Sequence, residues 1–286
     1  MKTIKVLIGL ITANFIIFSC MAQKVKNDLS VLNLRGKVKS STEIRYKASE
    51  KSGDIQKGDM QSKYIVLFNE SSNMYEFNWY NSEGGLERKD SFKYDNKGKK
   101  IEENRYDSDG ILKRKYTYKY DDNGNITDCA YYKSDGSLGG KDISKYDEKG
   151  NKIELDSYDS NNELNYKETY TYDDKGTKTE QFRYKTDGSI ESKSTYEYDN
   201  KGNMVAEKTY KSDGSLYSKE ICVYDDKGNM TEHYLYGGNP LFTINTLYYK
   251  YTYKYDYDAS GNWIKKTEFE NGVDPINVTE REIKYY

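Results

Sequence analysis

The sequence predicts an all-β fold of antiparallel β-hairpin repeats with a 26-residue period, forming a long coiled or twisted meander sheet. A Tyr-Asp-x-x-Gly turn motif returns every 26 residues, and a second Gly-containing turn lies between most successive copies. The runs between turns are rich in Tyr, Thr, Ile and Val, which fit pleated strands. The chain has 286 residues, with 32 Tyr and only 2 Pro, so strands are favoured over most of its length.

The two turn motifs predict the ends of the strands. The first motif is Tyr94-Asp95-Asn96-Lys97-Gly98, and the second is represented by Tyr106-Asp107-Ser108-Asp109-Gly110. Asp is favoured at the first position of a type I turn, and Gly supplies the left-handed residue of the bulge that follows. Asn162 replaces Gly in one copy, as expected where φ is positive. The predicted turn glycines are Gly98, Gly110, Gly124, Gly136, Gly150, Gly176, Gly188, Gly202, Gly214 and Gly228.

The turn type also predicts which residues pair across strands. The residue four before each Gly should face the residue two after it, so Tyr184 faces Ile190 and Tyr198 faces Met204. These even-numbered Tyr and aliphatic residues are expected on one inward face. Followed one strand further, the register places three lysines between pairs of tyrosines: Lys100 between Tyr94 and Tyr118, Lys152 between Tyr146 and Tyr170, and Lys178 between Tyr172 and Tyr196.

Unequal strand lengths predict a curved sheet. Successive Gly-to-Tyr spans are 8 and 10 residues, so the register shifts along the repeat. A steady shift of this kind is the geometry of a coiled sheet or barrel. We therefore expect the sheet to coil, with a single-layer twisted meander as the alternative.

The first segment predicts export. Lys2 and Lys5 precede an apolar run, which indicates a signal peptide over residues 1–19. Ser19-Cys20 resembles the cleavage site of bacterial lipoproteins, so Cys20 is the predicted lipidation site and a membrane is a predicted partner through that anchor. Ordinary cleavage after Ala22, giving a periplasmic or secreted protein, is the alternative. Residues 20–67 would form a tether and first strands, and residues 68–286 the repeat domain, with an insertion near 237–247.

The Tyr-Asp-x-x-Gly-Asn motif, recurring in phase from Phe68 to Tyr286, resembles the YD repeat of RHS-type bacterial surface and toxin-encapsulating proteins. The resemblance implies a spiralled β-sheet and a cell-envelope location. The alternation of Tyr and Gly turns is also similar to MORN-variant repeats, the second family considered.

Composition limits the functional classes. With 45 basic and 47 acidic residues the formal charge is −2, which argues against nucleic acid as a partner. The single His, His233, excludes sites with two histidines and is expected at the surface; no metal, cofactor or catalytic residue is predicted. The repeated acids lie in turns, where local hydrogen bonding explains them.

The expected function is therefore a non-catalytic envelope scaffold that binds or displays glycans or a protein partner. An envelope glycan hydrolase and an accessory or immunity partner of a toxin system are the alternatives. Tyrosine rings can stack on sugars as well as pack a sheet. The candidate ligand-stacking residues are Tyr118, Tyr146, Tyr170, Tyr172 and Tyr196.

Overall fold

The computed structural model describes residues 28–237 and 246–286. The predicted signal peptide, Cys20 and most of the predicted insertion lie outside these residues. The described chain begins with a four-residue helix, α1 (Asp28–Val31), and continues as strands. They are β1 (Val38–Lys51), β2 (Asp54–Phe68), β3 (Met74–Tyr80), β4 (Leu86–Tyr94), β5 (Lys100–Asp107), β6 (Leu112–Tyr120), β7 (Ile126–Lys133), β8 (Leu138–Tyr146), β9 (Lys152–Asp159), β10 (Leu164–Tyr172), β11 (Lys178–Tyr184), β12 (Ile190–Tyr198), β13 (Met204–Lys211), β14 (Leu216–Tyr224), β15 (Met230–Gly237), β16 (Leu247–Tyr257), β17 (Trp263–Glu270) and β18 (Asp274–Tyr285).

The strands form an antiparallel meander that closes on itself. Each strand pairs with the next, and β1 pairs with both β2 and β18, so the described strands make an 18-stranded barrel. The all-β hairpin prediction is confirmed, but the open coiled sheet is corrected to a closed barrel. Closure depends on β1 and β2, strands of 14 and 15 residues that precede the repeat motif. Pairing β1 with β18 removes both free edges of the sheet.

The turns owe their shape to Asp and to a left-handed residue. In the first repeat, Asp95 Oδ1 accepts hydrogen bonds from the backbone N–H groups of Lys97 and Lys99, at 2.9 and 2.8 Å. Gly188 has φ of +80°, and Asn162 has φ of 69° at the corresponding position. Positive φ is costly for residues with a branched Cβ, which explains Gly or Asn there.

Gly188→Val is expected to lower the free energy of unfolding by about 1–3 kcal/mol, because a β-branched residue would be forced to positive φ. A Cβ at Gly188 meets no atom within 4 Å, so crowding does not contribute. Urea unfolding measures the loss. Gly188→Asn is the matched control, since Asn occupies this conformation at position 162. Equal losses in both variants would contradict the assignment to backbone conformation.

The predicted register is confirmed, but the predicted common face is wrong. Tyr184 pairs with Ile190 and Tyr198 pairs with Met204. A second irregularity, between Arg183 and Tyr184, adds one residue to β12 beyond the turn bulge. Such a bulge reverses the alternation of side chains. Tyr184 therefore stacks on Phe182 on the outer face, whereas Tyr198 lies on the inner face.

The outer face of the barrel carries ion-pair ladders. Glu102 on β5 binds Lys93 and Lys115 on the neighbouring strands, both at 2.7 Å. The hydrogen bonds from Lys115 and Lys93 lower the pKa of Glu102 to about 2. Glu154 on β9 binds Lys145 and Lys167 in the same way. This face therefore carries exposed, paired charges.

The N-terminal segment packs into the barrel mouth that carries the Tyr-Asp-x-x-Gly turns. Asp28 accepts hydrogen bonds from the backbone N–H of Met74 at 2.8 Å and from the hydroxyl of Tyr94 at 2.7 Å. An apolar cluster lies beside it, formed by Leu29, Leu34, Val38, Val66 and Phe68. Hydrophobic burial thus fixes the segment to β1, β2 and β3. Within the described residues, no helix has the length and apolar character needed to cross a membrane.

Candidate functional site

The inner face is where successive repeats differ. Turn residues and outer lysines recur from repeat to repeat. The interior position two residues after the start of each even-numbered strand from β4 to β14 does not. The varying positions, 26 residues apart, are Arg88, Arg114, Gly140, Tyr166, Ser192 and Ser218. The next inward position varies as well: Asp90, Tyr116, Asp142, Glu168, Ser194 and Glu220. Distinct chemistry is therefore concentrated in the interior.

A cavity of about 310 Å³ lies on this inner face between β6 and β10. Four tyrosines and several polar residues line it: Tyr116, Tyr131, Tyr158 and Tyr166, with Lys141, Asp142, Ser157 and Asp159. Aromatic walls with a few polar groups are typical of small-molecule sites.

Two consecutive glycines create the space for one of these rings. A Cβ on Gly139 would lie 1.9 Å from Tyr131 Cε2, and a Cβ on Gly140 would lie 2.9 Å from Tyr131 Cε1. The ring of Tyr131 therefore occupies the place of two side chains. The other five repeats carry larger residues at both of these positions, as in Asn165-Tyr166.

Asp142 is one of two acidic residues that line the cavity, with Asp159. It pairs across the sheet with Cys129 on one side and Ser157 on the other. Burial raises the pKa of Asp142, while the hydrogen bond with Ser157 opposes the increase. Burial also lowers the pKa of the nearby Lys152 to about 8. The cavity can therefore bind hydroxyl groups through Asp142 and Ser157 and pack an apolar face on tyrosine.

The five tyrosines predicted to stack on ligand all lie on the inner face, but outside this cavity. Their hydroxyls donate to neighbouring groups: Tyr118 to Glu103 at 3.1 Å, Tyr170 to Glu168 at 2.7 Å, Tyr196 to Gln181 at 3.0 Å, and Tyr146 and Tyr172 to the carbonyl groups of Ile126 and Lys152, both at 2.7 Å. The structure does not bring them into one cavity, and ligand stacking stays a prediction for them.

The lysines between these tyrosines are placed as the register predicted. Lys178 pairs with Tyr172, and its Nζ lies 3.9 Å from the ring centroid of Tyr196. Lys100 and Lys152 repeat the arrangement, with Nζ 4.9 Å from the ring centroid of Tyr118 and 5.8 Å from that of Tyr170. Cation–π contacts therefore occupy the ring faces of Tyr118, Tyr170 and Tyr196.

His233 is buried, contrary to the expected surface position. It is 5% exposed and pairs with Cys222 on β14. Its Nε2 lies 3.2 Å from Glu220 Oε2, and Tyr249 packs edge-on against the ring. Within the described ranges, no three His, Cys, Asp or Glu side chains are grouped as a metal site.

Sequence reasoning missed the cavity residues although a signal was present. Tyr116, Asp142 and the Gly139–Gly140 pair depart from the repeat at fixed positions. The recurring residues of the repeat pointed instead to the tyrosines that hold the sheet together. Residues that depart from the repeat can be assigned to the inner face only when the second bulge of each hairpin is known.

No family model matches the chain, and no curated protein matches it. Among solved structures, a porin-like protein from Bacteroides uniformis is similar at 11% identity, covering 86% of this chain and 96% of that one, with a TM-score of 0.45. A porin-like protein from Bacteroides vulgatus is similar at 12% identity, covering 88% and 99%, with a TM-score of 0.35. The Tc holotoxin pore of Photorhabdus luminescens is similar at 11% identity, covering 79% and 16%, with a TM-score of 0.23. These similarities are too low to define a family.

Proposed function

We propose that the protein is a non-catalytic binding scaffold of the bacterial cell envelope that takes a sugar-containing ligand inside its barrel. The observation that carries this proposal is the cavity walled by Tyr116, Tyr131 and Tyr166 beside Asp142. A sugar ring has an apolar C–H face and a rim of hydroxyls. Tyrosine faces match the first, and Asp142 with Ser157 matches the second.

The volume is consistent with a small portion of a glycan. Small-molecule sites span roughly 300–1,000 Å³, and a cavity of about 310 Å³ is at the lower end of that range. One or two sugar rings are therefore the proposed occupant, with the remainder of a longer glycan outside the cavity.

The proposed location follows from the first residues of the chain. Lys2, Lys5 and the apolar run favour export, and Cys20 is the proposed lipidated residue. The in-phase Tyr-Asp-x-x-Gly motif supports a relationship to RHS-type YD repeats. Intact mass spectrometry of the membrane fraction tests the anchor, and a soluble chain beginning at Gln23 would show that cleavage after Ala22 is correct.

A glycan array probed with the mature chain, followed by calorimetric titration of the best ligand, tests the binding function. Gly139→Ala should weaken binding about tenfold or more, because the added Cβ displaces Tyr131 from the cavity wall. Asp142→Asn provides a second variant that removes the charge and keeps the shape. Gly85→Ala is the matched control, since a Cβ there meets only the side chain of Asn81.

Three results would argue against the proposal. The absence of any glycan ligand would remove the sugar-binding function. Unchanged affinity in folded Gly139→Ala and Asp142→Asn would place the ligand elsewhere. An equal loss in Gly85→Ala would show that the effect is not specific to the cavity.

A further inference from the structure

Arginines are concentrated on the inner face. Six of the seven arginines in the sequence lie on the inner side of described strands, and four of these, Arg88, Arg105, Arg114 and Arg183, belong to the repeat strands β4, β5, β6 and β11. Three of the four guanidinium groups cover the tyrosines that wall the cavity. The distances from guanidinium carbon to ring centroid are 5.5 Å for Arg105 and Tyr116, 5.9 Å for Arg114 and Tyr131, and 3.6 Å for Arg183 and Tyr166.

Part of this arginine set has unused hydrogen-bonding capacity. Nε and Nη2 of Arg88 and Nε of Arg105 are buried and have no hydrogen-bond partner among the described residues. Nε of Arg88 and Nε of Arg105 form ion pairs with Asp90 at 3.3 and 3.4 Å, but neither contact has the geometry of a hydrogen bond. Arg105 also donates from Nη2 to Glu103 at 3.3 Å. Buried N–H groups without acceptors are costly, so an additional acceptor would stabilise the site.

Arg114 adds a positive charge that the surrounding chain does not balance. It lies directly opposite Arg105 in the β5–β6 ladder. It contacts Tyr116 and Tyr131, is exposed to the barrel interior, and forms no ion pair within the described part of the chain. Like charges placed opposite each other on neighbouring strands repel, and a bound anion would relieve that repulsion.

We propose that Arg88, Arg105 and Arg114, the arginine row, bind an anionic substituent of the sugar held in the cavity: a carboxylate, sulfate or phosphate group. This inference rests on the proposed glycan-binding function and names its ligand class. Arginine suits the role because its planar fork matches oxyanions in a bidentate manner while its face stacks on aromatic rings. The ligand is therefore an acidic glycan whose apolar face packs on tyrosine and whose anion lies on the arginine row.

Binding to matched ligands tests the inference. An array carries neutral, uronic-acid, sulfated and phosphorylated forms of the same galactose, glucose and N-acetylglucosamine oligosaccharides, and the best charged ligand and its neutral counterpart are then titrated. The charged form should bind about tenfold more tightly at low salt, and added salt should reduce the preference. The three charged forms distinguish carboxylate, sulfate and phosphate as the source of the anion.

Arg114→Gln should remove most of this preference, with a loss of about tenfold for the charged ligand and less than about twofold for the neutral one. Lys115→Gln is the matched control, because Lys115 is the next residue, lies outside the barrel and pairs with Glu102 at 2.7 Å. Its binding should equal that of the wild type.

The possible results separate the two proposals. Equal binding of neutral and charged forms, or an unchanged preference in Arg114→Gln, overturns the anion site and leaves the glycan-binding function standing. Binding of no glycan on the array overturns both. An equal loss of preference in Lys115→Gln would assign the effect to the charge of the whole barrel and also overturn the site.

Discussion

Arg281→Met is expected to lower the free energy of unfolding by about 3–5 kcal/mol, since it leaves a buried carboxylate without its charged partner. Arg281 on β18 and Glu43 on β1 are direct cross-strand partners where the barrel closes. Arg281 Nη2 lies 2.6 Å from Glu43 Oε1, and both side chains are at most 6% exposed. Urea unfolding measures the effect, and hydrogen exchange in β1 and β18 reports local opening.

Two comparison variants separate the buried pair from ordinary surface charge. Lys57 and Glu280 join β2 to β18 at 2.7 Å, but their side chains are 44% and 41% exposed. Lys57→Met should therefore cost less than about 1 kcal/mol. The double variant Glu43→Leu/Arg281→Met should be more stable than Arg281→Met alone, because no isolated charge stays buried. A similar small loss in Arg281→Met and Lys57→Met would contradict a structural role for the buried pair.

The local part of the fold could be predicted because turn chemistry determines it. The pairing of Tyr184 with Ile190 and the position of Lys178 near Tyr196 both follow from the type I turn and its bulge. Barrel closure could not be predicted in the same way. It depends on residues before Phe68, which carry no repeat motif, and on pairing between strands at opposite ends of the chain.

Whether a residue faces into or out of the barrel depends on the second bulge of each hairpin, and this bulge has no sequence signature. The irregularity between Arg183 and Tyr184 recurs in the other repeats, and it places the tyrosines before the second type of turn, such as Tyr106 and Tyr184, on the outer face. The same limitation explains His233, which was expected at the surface and lies inside. Tyr116 and Asp142 can be recognised in the sequence because they depart from the repeat. Placing both in one cavity requires knowing which residues face the interior of the barrel.

The interior combines a regular frame with irregular charge. Lys178 and its equivalents stack on recurring tyrosines and hold the strands, whereas Asp90, Asp142 and Glu168 occur at one repeat position and differ in their partners. Burying carboxylates is costly unless pairing compensates. Asp90 is the most buried of these carboxylates, with 0% exposure. Arg88 and Arg105 form ion pairs with it at 3.3 and 3.4 Å, but neither of its oxygens has a hydrogen bond among the described residues, so its ionisation should have a large effect on stability.

Ionisation of Asp90 is expected to weaken the fold by about 3 kcal/mol as the pH rises from about 4 to above 6. Burial raises the pKa of Asp90 from 3.8 to about 6, although Arg88 and Arg105 act in the opposite direction. Between these values the folded state holds a proton that the unfolded state has released. The stability contribution is therefore largest below about pH 4 and is lost as the pH rises through about 6.

The difference in unfolding free energy between wild type and Asp90→Asn isolates this effect, because Asn does not titrate and the other carboxyl groups are common to both proteins. Urea unfolding from pH 3.5 to 7.5, roughly the interval that spans both pKa values, should show this difference falling. Asp213→Asn is the control: its hydrogen bonds with Ser215 lower the pKa of Asp213, so its difference should rise with pH. A rising difference for Asp90 would mean that Arg88 and Arg105 outweigh burial, and the arginine row would then have less unpaired charge to offer an anionic ligand.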